Sequence, residues 1–136
     1  MIQVRFDAKG GTVPQKRWIK KVIQSALRVK ATQIRNIGVL LTNDKGIQKI
    51  NRQFLNHDRA TDVIAFNLDK ETADIVVSTE MANRVSKKLG ISHKEELSRY
   101  LVHGTLHLLG YRDKTPHDKK KMWQIQESVL KNMESV

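Results

Sequence analysis

The sequence predicts an α+β fold: a small mixed four-stranded sheet packed with about five helices, in a single domain spanning residues 1–136. Stretches that alternate apolar and polar residues, or are rich in β-branched ones, read as strands; stretches with an apolar stripe at helical spacing read as helices. They follow one another as β-α-β-α-β-β-α-α-α, the pattern of helices packed on a small sheet. Only Asp69-Lys70-Glu71-Thr72 separates the third and fourth strands, which predicts an antiparallel pair. The helix containing Tyr100, Leu101, Val102, Leu106, Leu108 and Leu109 is apolar on nearly every side, so it is expected to be central and buried.

In chain order, Ile2, Val4 and Phe6 alternate with Gln3, Arg5 and Asp7 as in a half-buried strand. Gly10-Gly11 breaks it, and Pro14 suits a first helical turn. Between Gln15 and Lys30, Trp18, Ile19, Val22, Ile23, Ala26 and Leu27 form one stripe, opposite Lys16, Arg17, Lys20, Lys21 and Arg28. Ile34 to Thr42 is a second strand. Asn43-Asp44 then caps a short helix whose apolar residues are Ile47, Ile50, Phe54 and Leu55. The polar stretch Asn56 to Asp62 is a loop, followed by strands over Val63–Leu68 and Ala73–Ser78. Ser78 or Thr79 caps the next helix, which runs to Leu89, stops at Gly90 and is expected to bury Met81, Val85 and Leu89. Ser92 caps the central helix, with Glu95 as a capping-box partner. Thr115-Pro116-His117-Asp118 opens the last helix, which bears Met122, Trp123, Ile125, Val129, Leu130 and Met133.

The chain has no cysteine, which excludes disulfides and thiolate metal sites. The N-terminus does not read as a signal peptide, and no apolar run approaches membrane-spanning length, so a cytoplasmic location is expected. Lys+Arg 25 against Asp+Glu 14 gives a net charge of +11, which suggests a polyanionic partner, nucleic acid first. The first 35 residues hold nine basic residues and one acid, Asp7, which favours phosphate contact over a merely solvated helix face.

Chemistry concentrates at His103-Gly104-Thr105-Leu106-His107-Leu108-Leu109-Gly110-Tyr111-Arg112-Asp113. Histidines four apart project from one helix face, so both imidazoles reach one point. Two buried imidazoles without partners would be costly, and a metal satisfies both. Gly110 can end the helix in a left-handed conformation, and Asp113, three residues on, can swing back as a third ligand. This is the metzincin-type spacing H-x-x-x-H-x-x-G-x-x-(H or D). Three protein ligands leave a coordination position open, as catalytic zinc sites do. His117 competes with Asp113 for the third place; Asp113 is favoured, because His117 reads as part of the last helix's first turn. Gly104 stands where H-E-x-x-H peptidases carry their glutamate base, which argues against peptide cleavage by that route.

These residues resemble the YbeY family of bacterial rRNA maturation factors. The resemblance runs from the Asn51-Arg52-Gln53-Phe54 helix to Asp113. It is sharpest over His103–Tyr111, with support from Thr61-Asp62-Val63-Ile64-Ala65-Phe66 and Asp74-Ile75-Val76. It implies a metal-dependent, single-strand-specific endoribonuclease acting in 16S rRNA 3′-end maturation and ribosome quality control. Its partners would be single-stranded RNA, 16S rRNA and ribosomal particles, and its fold a small mixed sheet surrounded by helices. His103 and His107 carry over as ligands, whereas Asp113 stands where the family usually has histidine. Leu55 stands where the family usually has an arginine proposed to meet substrate. Arg59, four residues on, and Arg112, beside a ligand, are candidate phosphate contacts.

The expected cofactor is one Zn2+, or another divalent ion, acting as a Lewis acid on a phosphodiester, with water or the ribose 2′-OH as nucleophile. No general base is identifiable. A non-catalytic RNA-binding assembly protein and a metallohydrolase on another substrate are the alternatives; loss of RNA cleavage on His107→Ala separates enzyme from binder.

Overall fold

The computed structural model describes residues 1–7, 14–56 and 61–134, so Gly10-Gly11 and part of the loop after Asn56 lie outside the described residues. The elements are β1 (Ile2–Phe6), α1 (Lys16–Leu27), β2 (Asn36–Thr42), α2 (Asp44–Leu55), β3 (Val63–Asn67), β4 (Thr72–Ser78), α3 (Thr79–Leu89), α4 (His93–Leu108) and α5 (Pro116–Glu134). Their order is the one the apolar periodicity predicts. The strands form one mixed sheet in the order β1-β2-β4-β3, with β1 parallel to β2 and β2 parallel to β4. β3 runs antiparallel to β4, with Phe66 opposite Asp74. The Asp69 carboxylate makes their short connection by accepting the backbone N–H groups of Glu71 and Thr72, both at 2.8 Å.

One face of the sheet carries Val4, Ile37, Val39, Leu41, Ile75 and Val77 into the main core, beneath α1, α4 and α5. The opposite face forms a smaller cluster, in which Ile47 of α2 covers Ile64 and Val76. The expected α2 stripe is only partly buried: Phe54 and Leu55 are exposed, and Phe54 stacks on Phe66 with ring centroids 6.1 Å apart. The α3 stripe is a correction. Its buried residues are Thr79, Ala82 and Ser86, whereas Met81 and Val85 are half-buried and Leu89 is 60 % exposed. α3 packs against α4, and its buried face is built of small side chains, of which Thr79 donates its hydroxyl to the Thr42 carbonyl of β2 at 3.2 Å.

α4 is the central helix, packing on β3, β4, α1, α3 and α5. Ser92 accepts the Glu95 N–H at 3.0 Å, as expected of the cap, but the Glu95 carboxylate pairs with Arg99 at 2.7 Å instead of closing the capping box. Gly104 is where the helix presses on the sheet: a Cβ there would lie 2.9 Å from Val63 Cγ2 and 3.3 Å from Ile75 Cγ2. Gly104→Ala is therefore expected to cost about 1–3 kcal/mol in chemical denaturation. Gly104→Glu is expected to cost more and to create no peptidase, since its carboxylate would start its path inside the β3–β4 packing. Casein hydrolysis by that variant would overturn this expectation.

Candidate metal centre

The end of α4 builds the site. Gly110 has φ +98°, which favours glycine, and its N–H donates to the His107 carbonyl at 3.0 Å. The Tyr111 N–H donates back to the Leu106 carbonyl at 3.1 Å, which closes the helix end and reverses the chain. Asp113 thereby returns to the helix face that bears the two histidines.

Three donor atoms then form a small triangle. His103 Nε2 and His107 Nε2 are 3.1 Å apart, and Asp113 Oδ2 lies 3.3 Å from the first and 3.4 Å from the second. Tetrahedral zinc with bonds of about 2.05 Å has ligand–ligand edges of about 3.3 Å. The donor set therefore fits a divalent metal ion: two imidazole nitrogens and one carboxylate oxygen, all half-buried. Among the described residues this is the group of histidine and acidic side chains that could hold an ion, and His117 is not part of it. His117 lies exposed in the first turn of α5.

Protonation favours the same reading. Burial, then the positive charge His103 can carry, pushes the His107 imidazole below its ordinary value; Asp113 and the Tyr111 backbone oppose this. A depressed value keeps the ring neutral at neutral pH, the form that ligates metal. For His103 a residue on α5 sets the tautomer. Gln126 Nε2 donates to Glu127 Oε2 at 3.2 Å, which turns the amide oxygen towards His103 Nδ1 at 3.0 Å. Nδ1 must then donate, leaving the Nε2 lone pair aimed into the triangle. Behind Gln126, Glu127 takes both Arg99 Nε, at 3.2 Å, and Arg99 Nη2, at 2.9 Å, while Arg99 Nη1 pairs with Glu95. These hydrogen bonds brace α5 against α4. Gln126→Leu keeps the volume but removes the acceptor, so it is expected to weaken zinc affinity 10- to 100-fold, about the usual effect of losing such support. Competition with a chromophoric chelator measures it; unchanged affinity would show that packing alone orients His103.

A cleft of about 820 Å³ opens beside the triangle, with His103 and Asp113 in its wall. Glu96, Arg99 and Tyr100 of α4 line it with Asp62, which precedes β3, and Lys119, Lys120, Met122, Trp123 and Gln126 line it from α5. Burial, then the charges of Glu96 and Asp62, pushes the Tyr100 phenol well above the usual tyrosine range, so it stays a donor. Glu96 is buried, and its Oε1 has no hydrogen-bond partner, the Arg99 guanidinium lying 3.6 Å away. Arg112 is exposed and not among the lining residues, and Arg59 lies outside the described residues.

Gln126, Lys119, Lys120 and Trp123 are site residues that sequence reasoning missed. Trp123 reads as one more apolar member of the last helix, yet it is 55 % exposed in the cleft wall. The available signal is the α5 face shared by 119, 122, 123 and 126 at helical spacing, which carries lysine, tryptophan and glutamine beside the buried methionine.

Comparison with known proteins points the same way as the donor set. The family model described as endoribonuclease YbeY matches residues 5–134. An endoribonuclease YbeY from Listeria innocua is 36 % identical over 135 residues, covering 85 % of this chain and 84 % of the relative. One from Persephonella marina is 30 % identical over 129 residues, covering 88 % and 84 % respectively. In fold, the chain is similar to the solution structure of TM1509 from Thermotoga maritima, with TM-score 0.60 and 23 % identity over 99 % of this chain and 93 % of that one. The histidine pair, the glycine reversal and the returning carboxylate thus lie within a match that spans nearly the whole sequence, and the chain belongs to the endoribonuclease YbeY family.

Proposed function

We propose that this chain is a metal-dependent endoribonuclease specific for single-stranded RNA. In this reading it is one cytoplasmic domain that acts on 16S rRNA and ribosomal particles, in 3′-end maturation and ribosome quality control. The convergence of His103, His107 and Asp113 at 3.1–3.4 Å beside an open cleft, in a chain of this family, carries the reading. His103, His107 and Asp113 would hold a zinc ion, which when bound supplies Lewis acidity to a phosphodiester and to its nucleophile. Gln126 holds the His103 lone pair towards the ion. Arg112, adjacent to Asp113, and Arg59 are proposed phosphate contacts. Lys119 and Lys120 add positive charge at the cleft itself.

Among the described residues no helix is long and apolar enough to cross a membrane. With a net charge of +11, RNA affinity is expected to rest on phosphate contacts and to fall steeply with salt. Purified protein should cleave a single-stranded oligoribonucleotide, lose this activity on chelation, and regain it with added zinc. A 2′,3′-cyclic phosphate on the product indicates attack by the ribose, whereas a hydroxyl and a monophosphate indicate attack by water. RNA bound in a salt-dependent way but left intact by zinc-loaded protein would instead mean a non-catalytic binder.

A further inference from the structure

The cleft beside the donor triangle has an aromatic wall that the metal chemistry does not use. Trp123 is 55 % exposed, and among the described residues its indole N–H has no partner. Leaving half of so large a ring in water forgoes much of the stabilisation its burial would give. Lys119 and Lys120 lie four and three residues before it, so their side chains rise from the same side of α5. Among the described residues neither ammonium is held by an ion pair, in contrast to Arg99, whose charge is taken up by Glu95 and Glu127. Leu89, 60 % exposed, and Ile91 add apolar surface to the same cleft. Gln126, on the same helix face, is hydrogen-bonded to His103. Lys119 to Gln126 covers about 10 Å of helix axis, roughly the room that two or three nucleotides need.

We propose that Trp123 is a stacking platform for an unpaired base of the substrate next to the metal centre, with Lys119 and Lys120 holding the flanking phosphates. The inference rests on the ribonuclease reading above and deepens it, because it gives strand selectivity a physical cause. An indole in a cleft can stack only on a base with a free face. Bases inside a duplex have both faces covered by their neighbours, whereas those of a single strand can be splayed out onto an aromatic ring. Stacking is tolerant of base identity, so selectivity for single strands comes with weak sequence preference. Trp123 and the two lysines are therefore positioning residues.

The test is the affinity of zinc-loaded protein for a fluorescent single-stranded decamer of 2′-O-methyl ribonucleotides, which attack by the ribose cannot cleave, by anisotropy, with the decamer checked for integrity after each titration. Trp123→Ala is expected to raise Kd on the order of tenfold, and Trp123→Phe, which still stacks, by about threefold or less. Trp123→Leu, apolar but unable to stack, should bind as weakly as the alanine variant. A decamer of abasic nucleotides should bind the wild-type protein about as weakly as the intact decamer binds Trp123→Ala. Bound zinc should stay at the wild-type level in all three variants. Full affinity in Trp123→Ala, restoration by leucine, or equal binding of abasic and intact decamers to the wild type would each overturn the platform. The abasic arm needs no variant to fold. Failure of the platform leaves cleavage by the wild-type protein standing; stacking on Trp123 without cleavage sinks the ribonuclease reading alone.

Discussion

Replacing His107 by alanine is expected to abolish bound metal and RNA cleavage together. The substitution removes one corner of the donor triangle and leaves only His103 Nε2 and Asp113 Oδ2, 3.3 Å apart. Lewis-acid stabilisation of a phosphoryl transition state is worth several kcal/mol, so kcat/KM should fall on the order of 1,000-fold or more. The fold should persist, because the half-buried His107 lies between Leu106 and Leu108, which supply the core contacts of this turn. Metal analysis, circular dichroism and cleavage of single-stranded RNA on one preparation make the comparison. Cleavage that survives in a metal-free variant would belong to a contaminating nuclease or to another site. The wild-type site should also respond to pH in a set direction. The His107 imidazole is pushed down by burial and by His103, so the neutral, ligating form is favoured, and protons compete with the ion only as pH falls below the ordinary histidine range. Metal should stay bound through neutral pH and be released on acidification.

Asp113→Ala is expected to cost nearly as much as the histidine variant, and Asp113→His is expected to retain metal. The carboxylate reaches both imidazoles from a chain reversal made by Gly110, so no other acidic or histidine side chain among the described residues takes its place in the triangle. An anionic oxygen also makes a harder site than a third imidazole would. The wild-type protein should therefore tolerate manganese or magnesium better than Asp113→His, which should favour zinc. His117→Ala should change little, since that residue is exposed on the first turn of α5. Metal stoichiometry across the three variants decides the assignment. Loss in His117→Ala with retention in Asp113→Ala would make His117, not Asp113, the third ligand.

Among the described residues the order of the elements was legible because each has its own local signature. Alternation marks β1, the helical stripe marks α1, and Gly90 and Ser92 punctuate the chain between α3 and α4. The antiparallel β3–β4 pair followed from a connection too short for a crossover. Less legible was which side of a helix is buried. In α3 the large residues Met81, Val85 and Leu89 suggested one face, but the helix buries the small residues Thr79, Ala82 and Ser86 instead. Trp123 failed similarly, because an aromatic in a helical stripe reads as core until the wall of a cleft is known to pass beside it.

By itself the sequence determined the element order, the absence of thiol chemistry, the basic charge and a possible metal-ligand set. These depend on residue type and on separations of three or four positions, which the helix converts directly into shared faces. Tertiary structure alone decided that Asp113, not His117, comes within 3.4 Å of both imidazoles, and that Gln126 of α5 orients His103. It alone decided that a Cβ at position 104 would press on the sheet beneath it and that Lys119, Lys120 and Trp123 line the cleft beside the donor triangle. Each of these depends on how separate elements pack, and the periodicity of one helix carries no information about what its neighbour presents.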